Sequence, residues 1–142
     1  MIQDVTGIGI IIKGMVHVSG SEAIELCEKG AILVDIREET ETAARQFAVE
    51  NMILLPNSVL EQLYNELPMD KLLIIADGVG LRSKEAVLFL KKQGFRHVIN
   101  LAGGIVDWER AGYKVRTNPD EMLHGQCACM LKSNTGKKFN FK

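Results

Sequence analysis

The segment "KLLIIADGVGLRSKEAVLFL", residues 71–90, contains the junction on which the fold prediction rests. Its apolar run, residues 72–76, is typical of a buried strand, because parallel sheets that are covered on both faces use continuous apolar strands. A short loop with two glycines follows, and a helical pattern begins at Arg82 and Ser83. This order predicts a strand, a tight loop and a helix, with Asp77 at the carboxyl end of the strand.

Strand and helix patterns alternate in the same way on both sides of this segment. Short apolar runs predict further strands at residues 31–38, 51–56 and 97–102. Helical patterns cover residues 22–30, 38–48, 58–67, 83–94 and 103–112. Ser19 and Ser21 provide capping residues for the first helix, and Gly30, Gly94 and Gly112 suit helix ends.

This alternation predicts an α/β fold, in which a mainly parallel central sheet is covered by helices on both faces as a three-layer sandwich. Ligands of such sheets bind at the carboxyl ends of the strands. Asp35 and Asp77 both lie at predicted strand ends. The two aspartates are therefore expected at the same edge of the sheet.

Composition limits the classes of protein to consider. The chain has 142 residues, of which 46% are hydrophobic and 25% charged, and its formal net charge is −1. This length suits one domain, and the absence of a basic excess argues against nucleic-acid binding. The longest apolar run near the N-terminus, residues 10–12, is too short for a membrane span or a signal peptide. We therefore expect a cytoplasmic protein whose three cysteines are thiols and which does not bind membranes.

The loop after Asp77 has the features of an anion cradle. Gly78 and Gly80 allow a tight turn, Arg82 adds a positive charge, and the helix that begins near Ser83 directs its amide groups to the same point. A phosphate-binding P-loop is excluded because the lysine is missing and the glycine spacing is wrong. A dinucleotide fingerprint is excluded because Ser83 stands where its third glycine would be. A phosphorylated aspartate remains an alternative, but it needs an acidic cluster for Mg²⁺, and only Asp35 is expected nearby.

Several blocks of sequence occur in an order that resembles the rhodanese family of single-domain sulfurtransferases. The blocks are "VDIRE", "LP" before a helix, "IIADGVGLRS", "GF" with "VINLAGGIVDW", and "AGYKV". The resemblance covers residues 17–116 and implies the rhodanese-like fold. It leaves residues 1–16 as an N-terminal extension and residues 117–142 as a C-terminal tail, both short and rich in β pattern.

The resemblance also shows where the chain departs from the family. In the family the loop begins with a cysteine that carries sulfur as a persulfide, followed by four residues and then Arg-Ser or Arg-Thr. Here Asp77 takes the place of that cysteine, followed by Gly78, Val79, Gly80 and Leu81 and then Arg82 and Ser83. Related phosphatases of this fold have a loop one residue longer, so the loop length matches sulfur transfer. A carboxylate cannot form a persulfide, but it can accept hydrogen bonds from the loop amides, and we expect Asp77 to act as a built-in ligand of its own loop.

Other positions follow the family to different degrees. Asp35 and Arg37 match its Asp-x-Arg block, and Gly103, Gly104 and Trp108 match its Gly-Gly and tryptophan block. Residues 45–56 lack the histidine that the family usually has there. Asp35 and Arg37 are expected to form an internal ion pair. Arg82 is expected either to hold the loop together or to bind an anion. Asp77 is expected to cap the loop, to bind a partner's cation or to be modified itself.

The tail contains a second group of candidate functional residues, which could take part in metal binding or sulfur chemistry. Cys127 and Cys129 are two apart, so on a strand they would lie on one side, where they could bind a metal, form a strained disulfide or relay sulfur. His124 is a weak candidate for a third metal ligand. Alternatively, the two cysteines belong to the apolar face of a hairpin that turns at residues 133–136. Because an isolated hairpin is only marginally stable, the N-terminal segment is a candidate strand partner. Oligomer contacts could form through these terminal strands. Cys27 is interpreted as a buried apolar residue.

Two functional hypotheses follow. The first is a noncatalytic module without a cofactor that binds a protein partner, a small anion or a sulfur-containing ligand through residues 77–83. The second is a sulfurtransferase or sulfur relay that uses Cys127 or Cys129. Because Asp77 replaces the nucleophile, the sequence argues against the thiosulfate sulfurtransferase activity of the family.

Overall fold

The strands and helices alternate along most of the chain. The computed structural model describes residues 7–117 and the backbone of one strand at Gln126–Cys127. The strands are β1 (Ile10–Ile12), β2 (Met15–Val18), β3 (Ile32–Asp35), β4 (Gln46–Phe47), β5 (Met52–Leu54), β6 (Leu73–Ala76), β7 (Val98–Leu101), β8 (Val115–Arg116) and β9 (Gln126–Cys127). The helices are α1 (Gly20–Glu28), α2 (Glu39–Ala44), α3 (Leu60–Leu63), α4 (Arg82–Lys92) and α5 (Gly104–Arg110).

The main sheet has the strand order β1-β2-β7-β6-β3-β5-β9. Its strand pairs are parallel, except for the β1–β2 hairpin. Within one register row, Ala76 of β6, Asp35 of β3 and Leu54 of β5 lie side by side at the carboxyl edge. The predicted α/β fold with a mainly parallel sheet is confirmed, and Asp35 and Asp77 lie at the same edge of that sheet.

Two hydrophobic cores cover the sheet because successive strand residues point to opposite faces. On one face Val34, Ile75 and Val98 pack with Leu63 of α3 and Leu90 of α4. The other face is covered by α1 and α5. Its core contains strand residues Leu33, Ile74 and Ile99 together with helix residues Leu26 and Trp108. These layers explain why β3, β5, β6 and β7 are apolar at all positions except Asp35 and Asn100.

The first helix begins as the sequence predicts. Ser19 accepts a hydrogen bond from the amide of Glu22, and the Glu22 carboxylate accepts one from the amide of Ser19. This reciprocal capping box supplies two acceptors to amides that the first helical turn leaves without partners. Gly30 follows the helix with φ +110°, a backbone conformation that glycine adopts without strain.

Two predicted helices are shorter in the structure. Residues 38–48 form α2 only as far as Ala44, after which β4 pairs antiparallel with β8 in a small second sheet. The strand is favoured because it buries Phe47, whose ring lies 5.1 Å from that of Trp108 in an edge-to-face contact. Residues 57–66 form one α-helical turn between two 3₁₀ turns. Leu60, Leu63 and Leu67 of that segment are buried.

The terminal strands β1 and β9 form the two opposite edges of the main sheet. The N-terminal strand β1 pairs with β2, whereas β9 of the tail pairs in parallel with β5. In the part of the chain that the structure describes, the expected pairing between the N-terminal segment and the tail is therefore wrong. The hairpin turn predicted at residues 133–136 lies outside the described residues. The predicted limits of the N-terminal extension, residues 1–16, and of the C-terminal tail, residues 117–142, remain predictions. No helix in residues 7–117 is long and apolar enough to cross a membrane.

A pair of glycines offers a test of how α5 is held against the end of β6. A Cβ atom on Gly104 would lie 2.4 Å from the Asp77 carbonyl oxygen, whereas one on Gly112 would meet nothing within 4 Å. Both residues have positive φ, +58° and +89°, so both alanine variants carry backbone strain, which costs about 1 kcal/mol. We expect Gly104→Ala to lower the free energy of unfolding by about 2 kcal/mol more than Gly112→Ala, measured by urea denaturation. Equal losses would contradict the close approach at Gly104.

Candidate functional site

The carboxylate of Asp77 lies inside the turn between β6 and α4. Its Oδ1 accepts a hydrogen bond from the amide of Gly80, and its Oδ2 accepts one from the amide of Arg82 at 2.9 Å. The hydroxyl of Ser83 lies 3.3 Å from Oδ1. Asp77 is only 1% exposed. The carboxylate thus occupies the point to which the loop amides are directed.

Local backbone chemistry explains this arrangement. The first amides of a helix have no partner within the helix, and Leu81, which precedes α4, has no side chain that could cap them. Asp77 performs that function from the end of the strand by accepting from Arg82, the first residue of α4. Gly80 has φ +89°, and a Cβ atom there would lie 2.8 Å from the amide nitrogen of Gly103. The loop therefore requires glycine at position 80 for both its conformation and its packing.

The start of α5 fixes the other side of the loop. The amide of Ile105 donates to the Asp77 carbonyl at 3.0 Å, and the amide of Val106 donates to the Gly78 carbonyl at 3.1 Å. Gly104 brings these amides close because it has no side chain. Trp108 of the same helix is buried, and its indole nitrogen donates to the Lys114 carbonyl at 2.8 Å. The Gly-Gly and tryptophan block thus holds the loop and the helix behind it.

The positive charge of Arg82 is shared between two carboxylates. Its guanidinium lies 3.3 Å from Glu41 Oε2 of α2 and 3.8 Å from Asp77 Oδ2. Glu41 was not singled out from the sequence, because a helix of polar composition gives no signal of which residue faces a loop 41 positions away. Arg82 therefore holds the loop to α2 and is not an uncompensated charge.

Asp35 and Arg37 form a buried ion pair beside this loop. Arg37 Nη2 donates to Asp35 Oδ2 at 2.9 Å, and the two side chains are 0% and 4% exposed for Asp35 and Arg37. Arg37 also donates to the Arg45 carbonyl and lies over the ring of Phe47, 5.6 Å from its centroid. Burial raises the pKa of Asp35, and Arg37 opposes that rise. The pair connects β3 to β4 and leaves no reactive group free.

A chain of polar side chains leads from the loop to β2. Ser83 hydrogen-bonds to Oδ1 of Asn100, and Nδ2 of Asn100 lies 3.0 Å from Nδ1 of His17. Both Ser83 and Asn100 are fully buried. Asn100 was missed from the sequence, although a polar residue within the apolar strand "VINL" is itself a signal, because a buried amide needs hydrogen-bond partners.

The exposed part of the loop is apolar. Val79 and Leu81 are 55% and 64% exposed. The amides of Gly80 and Arg82 are bound by Asp77, and the Arg82 guanidinium is paired with Glu41. Chemically, the loop offers a carboxylate that is held in place and an apolar surface above it. The position that the amides surround is occupied by a carboxylate and contains no thiol.

The sulfur-containing candidates are placed to different degrees. Cys127 belongs to β9, where its backbone is in register with Leu54 at the carboxyl edge of the sheet. Cys129 and the weak metal candidate His124 lie outside the described residues. Cys27 is buried, as predicted, and burial raises the pKa of its thiol to about 12. In residues 7–117 no three His, Cys, Asp or Glu side chains are grouped closely enough to hold a metal ion.

Comparisons with known proteins agree on one family. The profile of the rhodanese-like domain matches residues 19–111. A sulfurtransferase of Allochromatium vinosum is 36% identical over 84 residues, which cover 59% of this chain and 77% of that protein. The thiosulfate sulfurtransferase GlpE of Actinobacillus pleuropneumoniae is 31% identical over 105 residues, covering 71% and 93% of the two chains. A rhodanese-related protein of Thermoplasma volcanium has a similar structure, with a TM-score of 0.65, 29% identity and coverage of 72% and 98%.

The buried pair provides a test of what supports the loop. Arg37→Met leaves the Asp35 carboxylate buried without its cation, and we expect a loss of about 3–5 kcal/mol in the free energy of unfolding at neutral pH. Arg45→Met, which removes a partly exposed ion pair with Glu109, is the control and should cost less than about 1 kcal/mol.

The loss of stability in the Arg37→Met variant is expected to depend on pH. Burial raises the folded-state pKa of Asp35 above its ordinary value of 3.8, and removal of Arg37 takes away the opposing cause. A raised carboxyl pKa gives stability that is fully present below the unfolded pKa and lost as the pH rises through the folded pKa. The loss in Arg37→Met should therefore be smaller near pH ~4 than at neutral pH. Urea denaturation at both pH values measures it, and a pH-independent loss would contradict this account.

Proposed function

This chain belongs to the rhodanese-like domain family, and we propose that it is a noncatalytic binding module that recognises a protein partner through residues 77–83. The proposal keeps the family's loop but assigns it a different use. It requires no cofactor. A cytoplasmic location and the absence of nucleic-acid binding remain predictions from the sequence.

The observation that carries the proposal is the carboxylate at the centre of the loop. Sulfur transfer by this type of loop needs a thiolate that attacks a sulfur donor and holds the sulfur as a persulfide. Asp77 has no sulfur, and its two oxygens already accept from the amides of Gly80 and Arg82. A donor anion would have to displace a covalently attached carboxylate from those amides. The site is therefore best suited to stay occupied by its own side chain.

The surface of the loop favours a protein partner over a small anion. The amides and the guanidinium that would bind an anion are engaged by Asp77 and Glu41. The groups left to a partner are Val79 and Leu81, two apolar side chains that are more than half exposed. Exposed apolar residues at a rigid loop favour contact with another apolar surface. A small sulfur-containing anion is the less favoured ligand of the same loop.

A second candidate function is sulfur relay by the tail cysteines. It is favoured by one observation: the register row Ala76, Asp35, Leu54 and Cys127 places Cys127 at the same sheet edge as the loop. Three strand spacings separate Cys127 from Ala76, which is about 14 Å between backbones. In this function a tail thiolate attacks the sulfane sulfur of thiosulfate, the S–S bond of the donor breaks, sulfite leaves, and the tail cysteine becomes a persulfide. Cyanide then removes the outer sulfur as thiocyanate.

A sulfur-transfer assay distinguishes the two functions. Purified protein is incubated with thiosulfate, and thiocyanate release after addition of cyanide is measured together with the intact mass. We expect neither thiocyanate above the protein-free rate nor a mass gain, because the loop has no thiol that could hold sulfur as a persulfide. A mass gain that disappears in the Cys127→Ser, Cys129→Ser double variant would establish the relay instead. Turnover that survives this double variant would contradict both candidates.

Replacing the carboxylate tests whether the loop still has a sulfur-binding geometry. In Asp77→Cys the amides of Gly80 and Arg82 and the start of α4 would surround a thiolate, and we expect measurable thiocyanate formation. Asp77→Ser is the matched control, since it frees the same amides without supplying a thiol, and it should remain inactive. A folded Asp77→Cys variant that forms no persulfide by intact mass would show that the loop has lost this capacity.

A further inference from the structure

An open cleft lies next to the loop, on the side of β2 and β7. It has a volume of about 320 Å³, and its lining includes Ile10, Ile12, His17, Val79, Lys84 and Asn100. The cleft lies outside the carboxyl ends of two neighbouring parallel strands, which is where α/β sheets bind ligands. Its volume is at the lower end of the range for small-molecule sites. Only Val79 and Gly80 of its lining belong to the loop of the proposed function.

The walls of the cleft are apolar and exposed. Ile10 and Ile12 are two apart on β1, so they share one face of the strand, and they are 67% and 54% exposed. Val79, which is 55% exposed, lies in the lining with them. These β-branched side chains leave apolar surface in contact with water. A ligand with an aliphatic part would remove that surface from water, which is favourable in proportion to the area buried.

The cleft is lined by one acidic and one basic side chain, Glu22 and Lys84, which differ in whether they have fixed partners. Glu22 lines the cleft, but its two oxygens accept from the amides of Gly9 at 2.8 Å and Ser19 at 2.9 Å. Burial and the charge of Lys84 lower the pKa of His17, which favours the neutral form of the ring. Lys84 makes no ion pair within residues 7–117. Lys84 is therefore the charged group of the cleft that remains available to pair with an anion.

A fixed polar group lies beside that charge. Asn100 is fully buried and holds Nδ1 of His17 at 3.0 Å, while its other end bonds to Ser83. This contact orients the His17 ring. The second ring nitrogen, Nε2, has no hydrogen-bond partner in the part of the chain that the structure describes. The cleft thus combines an apolar wall, a cation and an oriented imidazole within one small volume.

We propose that this cleft is a binding site for a small monocarboxylate with a short aliphatic chain, with the carboxylate at Lys84 and the aliphatic part against Ile10, Ile12 and Val79. The carboxylate matches Lys84, which has no ion-pair partner within residues 7–117, and the aliphatic chain matches the exposed wall. The site is separate from the Asp77 carboxylate and goes beyond the proposed function.

The test is a titration of the full chain, followed by the amide NMR shifts of Val79, Gly80 and Lys84. The probes are hexanoate, acetate, which lacks the aliphatic chain, and 1-hexanol, which lacks the charge. We expect saturable shifts with hexanoate and an affinity on the order of ten-fold higher than that for acetate, because several methylene groups are partly buried. Hexanol should bind more weakly than hexanoate. Equal binding of hexanol and hexanoate, or no saturable shift with hexanoate, would overturn the proposal.

Two lysines of the same helix supply the matched variants. Lys84→Gln should weaken hexanoate binding by about two- to five-fold, the range of an exposed ion pair, while hexanol binding stays unchanged. Lys92→Gln removes an equal charge from the far end of α4 and should leave both affinities unchanged. An equal effect of the two substitutions would mean that only the net charge matters, and the site would be rejected. The titration does not involve sulfur transfer, so its failure and that of the proposed function are distinguishable.

Discussion

The interaction on which the site depends is the contact between the Asp77 carboxylate and the amides of Gly80 and Arg82. A strand that passes directly into a helix leaves several amide groups pointing at one place, and buried amides without partners cost free energy. In this chain the acceptor is covalently attached and lies at the end of β6. The loop amides therefore have a hydrogen-bond acceptor without a bound anion. The glycines next to the loop make this arrangement possible. Gly80 adopts a positive φ so that its amide can point inward, and Gly104 lets α5 approach closely.

The two arginines of the loop region are paired with carboxylates of the same chain. Arg37 is paired with Asp35 beside the loop, and Arg82 lies between Glu41 and Asp77. Each cation of the region therefore has a carboxylate within the protein, and the part of the loop that faces outward is apolar. The cleft on the other side differs in this respect, since Lys84 is without an ion-pair partner in residues 7–117. Two adjacent surfaces thus have different chemistry although they share Val79 and Gly80.

Membership of the family and the chemistry of its loop rest on different residues. Asp35, Arg37, Gly104 and Trp108 pair charges, pack the loop or support the helix behind it, and none of these roles involves sulfur. They fulfil the same physical demands whatever residue occupies position 77. A substitution at the centre of the loop can therefore change what the site does while the scaffold keeps its form. This separation explains how clear similarity to sulfurtransferases is compatible with a carboxylate at the centre of the loop.

The sequence by itself determined the α/β fold, the strand ends at Asp35 and Asp77, and the ligation of the loop amides by Asp77, because these depend on local patterns and on neighbours within a few residues. Predictions from local composition failed where a distant contact decides: β4 replaces the end of a predicted helix because Phe47 packs on Trp108. The partners Glu41 and Asn100, and the cleft between the β1–β2 hairpin and the loop, were likewise decided only by tertiary structure. The register of parallel strands brings these residues together from far apart in the chain, and no local pattern encodes which side chains will meet.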